Sequence, residues 1–415
     1  MSDGINLAQF GWDGVVVPAD LNNLCRHLPK WEQLKALRIP QTIGHHTVYF
    51  PHKYFYDLSG APYMPAIEKG ALINDNGGYS EIYKANRSVF RPEGSTTGSV
   101  RLTRVEPFKE VCIKEIQLTI APDESREAYN EEIKAVMYEA YLHALVQEAL
   151  KREGIGRYVP HLLDVLALTI SGDIIRAPWE VESVWMTMEL LDGMTLEKFL
   201  ATKLRMGTKV SNSILLKDIL VQLATVLHFL QKKLHFNHRD LKINNLYVRT
   251  GTTVTHSLEL PESLGTHTCH VDLVMIDFGF GCIACGSGFT NPRSSLFGAG
   301  SYFTPADDCM KEGRDMAQFI YSLHCCFPLQ NYITKEFFDF LHYAMTAEKR
   351  AVRQKYDLFM GLDAIGRPLT SAHLPASIKY NNGIYIFLRE NAVDVPACEP
   401  LPFLRGLEAL RLPEN

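Results

Sequence analysis

The sequence predicts an α+β protein of two lobes, with antiparallel strands in the amino-terminal lobe and helices in the carboxy-terminal lobe. Residues 71–116 read as a strand, a turn, a second strand and then a further strand. Later in the chain, five leucines recur at helical spacing: Leu216, Leu220, Leu223, Leu227 and Leu230. With 415 residues, of which 46% are hydrophobic, the chain is long enough for two packed lobes and an extension. We place the extension at residues 1–70 and the lobes at residues 71–190 and 191–415.

The amino-terminal extension mixes helical and irregular signals. A stretch from Pro18 through Trp31 and Leu37 is predicted to be helical, and Pro40 ends it. The rest of the segment is rich in Tyr, Phe, His and Pro, which is too aromatic a composition for a disordered region. We therefore expect an ordered extension that packs on the amino-terminal lobe.

The first predicted hairpin carries glycines at its tip. Its strands are Ala71–Ile73 and Glu81–Ala85, and the turn between them contains Gly77, Gly78 and Ser80. Residues without bulk let backbone amides approach a phosphate. An ordinary Asn-Gly hairpin turn would have the same composition, so both interpretations stay open.

A strand and a long helix follow. After a predicted polar loop at residues 86–108, the strand Glu110–Ile116 carries Lys114 behind an apolar trio. Residues 127–151 contain few helix breakers and are predicted to be helical. Taken alone, a lysine in such a strand is usually solvent-facing, and a helix glutamate is usually solvated. Two further strands are predicted at residues 158–165 and 184–193.

Two segments of the second lobe have the spacing that phosphoryl transfer requires. Asp240 precedes Asn245 by five positions, so a carboxylate can face an attacking hydroxyl while an amide oxygen binds a metal. The apolar run 271–276 leads to Asp277 in a glycine-containing turn, where the carboxylate can hold Mg²⁺. Either segment alone can arise by chance, but their order, with a strand lysine upstream, favours one shared function.

These segments contain two intact motifs, His238-Arg239-Asp240-Leu241-Lys242-x-x-Asn245 and Asp277-Phe278-Gly279. They resemble the catalytic-loop and metal-binding motifs of the protein kinase superfamily, and the resemblance covers residues 71–323. It implies a bilobal protein-kinase-like fold and transfer of the ATP γ-phosphoryl group to a protein hydroxyl, with ATP and Mg²⁺ as cofactors. Lys242 is the residue that serine/threonine kinases carry, whereas tyrosine kinases usually carry another.

The resemblance implies a role for each matching residue of the catalytic loop. Asp240 would accept the hydroxyl proton, with Arg239 and Lys242 beside it, and Asn245 and Asp277 would hold Mg²⁺. A further match, Asp315, resembles the aspartate that braces the catalytic-loop backbone in kinases.

The same resemblance assigns the nucleotide contacts. The Lys114 ammonium would clamp the α- and β-phosphates and be held by Glu139, with Glu132 and Glu148 as rival partners. The backbone of Glu189 to Leu191 would meet the adenine edge. The remaining implied contacts are Gly77, Gly78, Ser80, Ile82 and Met188, the last of which would guard the pocket behind the adenine.

The match departs from the kinase pattern in two places. Asp75 and Ser80 stand where the first and third glycines of the phosphate-binding loop belong, and Ala306 replaces the glutamate that ends the activation segment. The haspin group and several viral kinases also depart at the latter position. Two alternatives therefore stay open: a pseudokinase that binds nucleotide as a scaffold, and a small-molecule kinase of the same fold.

Control by phosphorylation is a further expectation from the resemblance. In kinases, an arginine at the position of Arg239 often pairs with a phosphate on the activation segment. The available acceptors here are Thr290, Ser294 and Ser295. Alternatively, Arg239 pairs with a nearby carboxylate or carbonyl and no phosphate is needed.

Residues 250–270 are predicted to form an inserted surface hairpin. The end of this hairpin carries His267, Cys269 and His270, and the segment after Asp277 carries Cys282 and Cys285. A structural zinc site is one interpretation. It is weakly supported, because a single C-x-x-C without a second pair at ligand spacing is not specific.

Composition limits the partners. The formal charge of −5 and the absence of a Lys/Arg cluster predict no nucleic-acid partner. The sequence shows neither a long apolar run nor a signal peptide, so we expect an intracellular protein, cytoplasmic or nuclear, without a membrane partner. Nine irregularly spaced cysteines predict no disulfide framework and agree with a reducing compartment.

Overall fold

A computed structural model gives the fold and describes residues 5–7, 10, 12, 16–17, 30–77, 80–94, 100–118, 125–170, 174–250, 255–285, 288–290, 311–346 and 395–412. Over these residues the protein is a mixed α+β structure with a sheet curled into a half-barrel and six helices, which confirms the predicted class. The described residues form two compact units. The first lies within residues 5–148 and 160–191, and the second within 149–159, 192–290 and 311–412.

The first unit is built on an eight-stranded sheet. The strands of this unit are β1 (Ile5–Asn6), β2 (Val16–Val17), β3 (Lys35–Ala36), β4 (Gln41–Ile43), β5 (His46–Val48), β6 (Phe55–Tyr56), β7 (Pro62–Gly77), β8 (Ser80–Glu93), β9 (Arg101–Arg104), β10 (Lys109–Gln117), β11 (Leu162–Thr169) and β12 (Val181–Glu189). The sheet order is β3-β11-β12-β10-β8-β7-β6, with β9 beside β8. All its pairings are antiparallel except β3 with β11. The small pairs β1–β2 and β4–β5 lie outside this sheet.

Strand β10, in the middle of this sheet, buries both of its faces over residues 111–116. On β10, Val111 and Ile113 belong to an apolar cluster that includes Ile67 and Trp185. Because successive side chains point to opposite faces of a strand, Lys114 lies on the other face. The helix α1 (Arg126–Arg152), which continues into the second unit from residue 149, supplies a partner to that face.

The sheet is larger than the sequence predicts. The strand predicted to begin at Ala71 begins at Pro62, and its partner extends to Glu93, into the segment predicted as a loop. The predicted amino-terminal helix is wrong in its described part, where Trp31–Gln33 is a 3-10 helix followed by β3. The extension therefore contributes strands to the sheet, because β7 crosses the boundary predicted at residue 71.

The second unit is mainly helical. Its helices are α2 (Leu196–Met206), α3 (Lys209–Leu234), α4 (Arg314–Cys326), α5 (Lys335–Thr346) and α6 (Pro400–Ala409). Its strands are β13 (Gly193–Thr195), β14 (Phe236–Asn237), β15 (Leu246–Arg249), β16 (His256–Glu259), β17 (Thr266–Cys269), β18 (Asp272–Met275), β19 (Cys282–Cys285) and β20 (Gly288–Thr290). The pair β16–β17 is the inserted hairpin that the sequence predicts.

Helix α3 forms the core of this unit. It begins at Lys209, where the Thr208 hydroxyl accepts the Ser211 amide N–H at 3.1 Å and caps the helix. The periodic leucines are buried, and α6 packs against the helix. Among the described residues, α3 is the one helix long and apolar enough to cross a membrane, but most of that stretch is buried inside the protein, as in a core helix.

A buried ion pair crosses the large sheet. Arg87 on β8 binds the Asp164 carboxylate on β11 through Nε at 2.6 Å and Nη2 at 3.0 Å. Asp164 is fully buried. Burial alone would lower the pKa of Arg87, but the attached carboxylate raises it above its ordinary value, so the pair stays charged.

We expect Asp164→Asn to lower the free energy of unfolding of the first unit by about 3–5 kcal/mol, because it leaves the buried Arg87 charge uncompensated. Urea denaturation followed by tryptophan fluorescence measures this, since all four tryptophans lie at positions of the first unit (12, 31, 179 and 185). The control is Glu110→Gln, which removes an exposed ion pair with Lys84 in the same unit and should leave the urea midpoint unchanged. Equal midpoints for Asp164→Asn and wild type would contradict a charged, stabilising pair.

Candidate active site

The loop after β14 is held by a buried carboxylate. Asp315, in the first turn of α4, accepts the His238 amide N–H at 2.8 Å and the Arg239 amide N–H at 2.9 Å. It also accepts the side-chain amide of Asn237 at 3.1 Å. Asp315 is fully buried, so these charge-assisted hydrogen bonds are shielded from water. The structure therefore places Asp315 against the loop backbone, which is the position that the resemblance to kinase motifs predicts.

Two residues of the site have left-handed backbone conformations. Arg239 and Asp277 both have φ near 65°, which is unfavourable for residues with a side chain. Such strain persists where surrounding contacts hold it, and it occurs often at functional sites. Two contacts hold Arg239. Its backbone N–H donates to Asp315, and its backbone carbonyl accepts the Gln318 side-chain amide at 2.9 Å. The Arg239 side chain is fully buried.

The Asp240 carboxylate has one engaged and one uncommitted oxygen. Its Oδ2 accepts Lys242 Nζ at 3.0 Å and Asn245 Nδ2 at 2.9 Å. Its Oδ1 is buried and accepts no hydrogen bond from the described residues. Burial raises the pKa of Asp240 above its ordinary value, Lys242 opposes this shift, and the charge of Asp277 adds to it. The group is thus a more basic carboxylate than usual, with one oxygen available for a proton.

Strand pairing brings Asp277 next to Asn245. In the β15–β18 ladder, Leu246 faces Met275, and the Ile276 N–H donates to the Asn245 carbonyl at 3.0 Å. Because Asp277 follows this ladder directly, its left-handed turn starts beside the loop that carries Asp240. His238 reinforces the junction, since its Nε2 donates to the Ile276 carbonyl at 3.0 Å and its ring lies 5.5 Å from that of Phe278.

The donors at this junction fit Mg²⁺. The side-chain N–H₂ of Asn245 donates to the Asp240 backbone carbonyl at 2.8 Å and to its carboxylate, which leaves the amide oxygen uncommitted to Asp240. A carboxylate from Asp277 and an amide oxygen from Asn245 are the hard oxygen ligands that Mg²⁺ prefers. Electrostatics also favours a cation here, because the carboxylates of Asp240 and Asp277 repel each other and a cation relieves the repulsion.

In the first unit, Lys114 forms a buried ion pair with Glu139 of α1. Lys114 is 9% exposed and Glu139 is 2% exposed, so the solvent-facing interpretation of this lysine is wrong. Its cross-strand neighbours are Ile82 on β8 and Met186 on β12. The contact with Glu139 is the one that the sequence favoured over contacts with its two rivals.

The other predicted nucleotide contacts are only partly described. Gly77 and Ser80 face each other at the end of the β7–β8 ladder, whereas Gly78 lies outside the described residues. Met188, 8% exposed, lies opposite Cys112 on β10. Leu191 is half-buried at the end of the first unit's segment.

The backbone of Glu189 is already engaged within the first unit. Its N–H donates to the His161 carbonyl at 2.8 Å, and its carbonyl accepts the Cys112 thiol at 3.4 Å. Burial raises the pKa of Cys112 to about 12, so the thiol keeps the proton that it donates. The Glu189 N–H is therefore unavailable to an adenine, and only its carbonyl, which has a second lone pair, could accept from one.

A second polar cluster joins the inserted hairpin to α3. Asp218 Oδ1 accepts His267 Nε2 at 2.9 Å, and its Oδ2 accepts the amide N–H groups of His270 and Val271 at 2.8 and 3.1 Å. Cys269 is buried next to them, and donor atoms of Asp218, His267 and Cys269 all lie within 4.8 Å of one another. Asp218 was missed on the sequence, because nothing in its local pattern links it to a hairpin that follows much later in the chain.

The zinc set considered on the sequence does not form as such. The His270 side chain is exposed, and only its backbone joins the Asp218 cluster. Cys282 is disulfide-bonded, which the irregular cysteine spacing did not predict, and the side chain of Cys285 lies outside the described residues. Among the predicted ligands whose side chains are described, His267 and Cys269 are the two that come together.

The activation segment, whose phosphorylation is expected to control activity, lies largely outside the described residues. This applies to Ser294, Ser295 and Ala306, while Thr290 ends β20 and its side chain is not described. Phosphorylation of this segment stays a prediction.

No protein-family model matches the sequence, and a comparison with curated proteins gives no significant match. The functional argument therefore depends on the residues and their geometry.

We expect Asp315→Asn to speed hydrogen exchange at the amides of His238 and Arg239 by about 10- to 100-fold, since a lost charge-assisted hydrogen bond is worth roughly 1.5–3 kcal/mol. In this variant the asparagine side-chain N–H₂, a hydrogen-bond donor, would face a backbone N–H of the loop, which needs an acceptor. Hydrogen exchange measured by mass spectrometry or NMR tests this.

The matched control is Asp218→Asn, another buried carboxylate that accepts two backbone amides. It should speed exchange at His270 and Val271 and leave residues 238 and 239 unchanged. Unchanged exchange at 238 and 239 in Asp315→Asn would show that Asp315 does not hold the loop.

Proposed function

We propose that this chain is a protein kinase with the bilobal kinase fold, transferring the γ-phosphoryl group of ATP to a serine or threonine hydroxyl of a protein substrate. The observation that carries the proposal is the Asp240 carboxylate. One of its oxygens is held by Lys242 and Asn245, and the other is buried and uncommitted. A base that must accept a hydroxyl proton needs this combination of fixed orientation and a free acceptor.

The contacts of the second unit's residues support the proposed roles. Asp240 accepts the proton of the substrate hydroxyl as the hydroxyl oxygen attacks the γ-phosphorus, and the bond from that phosphorus to the oxygen of ADP breaks, so that ADP leaves. Asn245 and Asp277 would hold Mg²⁺, which supplies positive charge to neutralise the phosphate oxygens as charge redistributes. Asp315 keeps the loop backbone in place, so that little reorganisation is needed during the reaction.

The first unit would bind the phosphates. Lys114 carries a positive charge in a nearly dry environment, and Glu139 holds its position. An ammonium fixed in this way is suited to anionic phosphate oxygens, and it contributes to binding as well as to the chemical step. The hairpin tip after Gly77 would add backbone contacts.

A nucleotide-binding scaffold without turnover is the second candidate. The feature that favours it is the sequence of the hairpin, where Asp75 and Ser80 stand in place of two glycines of the kinase pattern. The retention of Lys114, Asp240, Asn245 and Asp277 favours activity. The two candidates predict the same nucleotide binding and opposite results for phosphate transfer.

We expect Asp240→Asn to lower kcat by about 10²- to 10⁴-fold while leaving Mg-ATP binding nearly unchanged, because a general base acts in the transition state. Phosphate transfer from labelled ATP to casein measures the rate, and the rise in Tm with Mg-ATP measures binding. Lys114→Met is the contrasting variant and should lose most of the Mg-ATP-dependent rise in Tm.

Lys69→Met is the matched control for Lys114→Met. Lys69, on β7, pairs with Glu115. Glu115 is next to Lys114 on β10 and lies on the opposite face of that strand, so the loss of Lys69 removes a lysine–glutamate pair without touching the proposed site. Equal kcat in wild type and Asp240→Asn would contradict the assignment of the base. Mg-ATP binding without transfer in the wild type would favour the scaffold.

The pH dependence offers a separate test of the Lys242 contact. Asp240 must be ionised to accept a proton, so activity falls as the pH drops through its raised pKa. Lys242→Met removes the cation that lowers this pKa, so the pKa of Asp240 rises. The acid limb of the pH profile, where kcat falls as the pH drops, should therefore move to higher pH. Lys242→Arg keeps the charge and should keep the limb near its wild-type position.

The position of the acid limb is the readout, because Lys242→Met can also lower kcat at every pH. An acid limb at the same pH in wild type and Lys242→Met would show that the titrating group is not Asp240.

A further inference from the structure

One cluster in the second unit has metal-ligating side chains that phosphoryl transfer does not use. Asp218 lies on α3, and His267 and Cys269 lie on β17 of the inserted hairpin. We propose that these three side chains bind a divalent transition-metal ion of the zinc type, which joins the hairpin to α3. This proposal goes beyond the proposed kinase activity and does not depend on it.

The geometry of the hairpin presents two of the ligands together. His267 and Cys269 are two residues apart on one strand, so their side chains share a face. Asp218 meets this face from α3, with Oδ1 at 2.9 Å from His267 Nε2. The ligand atoms lie within 4.8 Å of one another, whereas ligands of a tetrahedral zinc ion, with bonds of about 2.0–2.3 Å, are separated by roughly 3.3–3.8 Å. Small side-chain movements would therefore complete the site.

The chemistry of the donors selects the metal. A thiolate, an imidazole and a carboxylate are zinc ligands, while Mg²⁺ prefers oxygen ligands alone. The site would thus be chemically distinct from the Mg²⁺ site proposed at Asn245 and Asp277. Cys269 is fully buried, but the His267 side chain is 18% exposed, so an ion can enter from the histidine side, and water can fill the fourth position there.

The surrounding contacts already orient the ligands. The Asp218 Oδ2 is held by two backbone amides, and its Oδ1 also accepts Gln222 Nε2 at 2.9 Å. Outer contacts of this kind fix the direction of a metal-binding carboxylate. On the other side, the Tyr158 hydroxyl lies 3.8 Å from the Cys269 sulfur and packs it in place.

Metal binding requires two proton movements. Burial raises the pKa of Cys269 to about 12, so the thiol is protonated in the metal-free protein. The incoming cation displaces that proton, which leaves to solvent as the sulfur–metal bond forms. The His267 proton moves from Nε2 to Nδ1, so that Nε2 can coordinate, and the His267–Asp218 hydrogen bond is replaced by two bonds to the ion.

Titration of the full-length protein with Co²⁺ tests the proposal, because cobalt bound to a thiolate gives a charge-transfer absorption band. The protein is first treated with a chelator and then freed of it. The titration is done under argon without added thiol, so that Cys282 keeps its disulfide bond. We expect one equivalent of Co²⁺ to produce the band, Zn²⁺ to displace it and excess Mg²⁺ to leave it unchanged.

Variants locate the site. Cys269→Ala and His267→Ala should lose the band. Of these, His267→Ala disturbs packing less, since the His267 side chain is partly exposed. The controls are His270→Ala, an adjacent but exposed histidine, and Cys326→Ser, an exposed free thiol, and both should keep the band. Asp240→Asn should also keep it, which separates this proposal from the kinase proposal.

A second readout is the Tm, which Zn²⁺ should raise in the wild type and leave unchanged in His267→Ala. Absence of the cobalt band in the wild type would overturn the proposal. A band that persists in both Cys269→Ala and His267→Ala would also overturn it, because the ion would then be bound elsewhere.

Discussion

The buried Asp315 carboxylate is the contact on which the candidate active site depends. It accepts the amides of His238 and Arg239 in a region that water does not reach. With those bonds in place, Arg239 can keep its left-handed conformation, and the chain turns so that Asp240 follows in a fixed orientation. Removing this acceptor would leave two buried N–H groups without partners, which is costly enough to remodel the loop.

Electrostatics accounts for the rest of the site. Burial is the largest cause of the raised pKa of Asp240, Lys242 opposes it, and the charge of the nearby Asp277 adds to it. A cation held near the two carboxylates would favour their charged forms, which agrees with the proposed Mg²⁺ site. In the first unit, Lys114 and Glu139 neutralise each other, which is how a charged lysine can remain in a nearly dry location.

Sequence reasoning underestimated the sheet for an identifiable reason. Gly70 and Asn74, within β7, are poor strand formers, and Pro92, within β8, usually interrupts a strand. The β7–β8 register shifts around Gly70 and Asn74, but pairing continues on both sides of these irregularities, and β9 and β10 pair with β8. The cost of poor strand formers is small compared with the hydrogen bonds and apolar burial of such a long ladder.

The sequence by itself determined the arrangement of groups that lie close together along the chain. Asp240 and Asn245 share one loop, and Asp277 directly follows a buried strand, so short-range spacing was sufficient to place them. Tertiary structure selected Glu139 among the three glutamates that the sequence left open as partners of Lys114, and it alone decided that Asp218 joins the inserted hairpin. These partners come from different elements, and packing, which no local pattern encodes, decides which side chains of those elements meet.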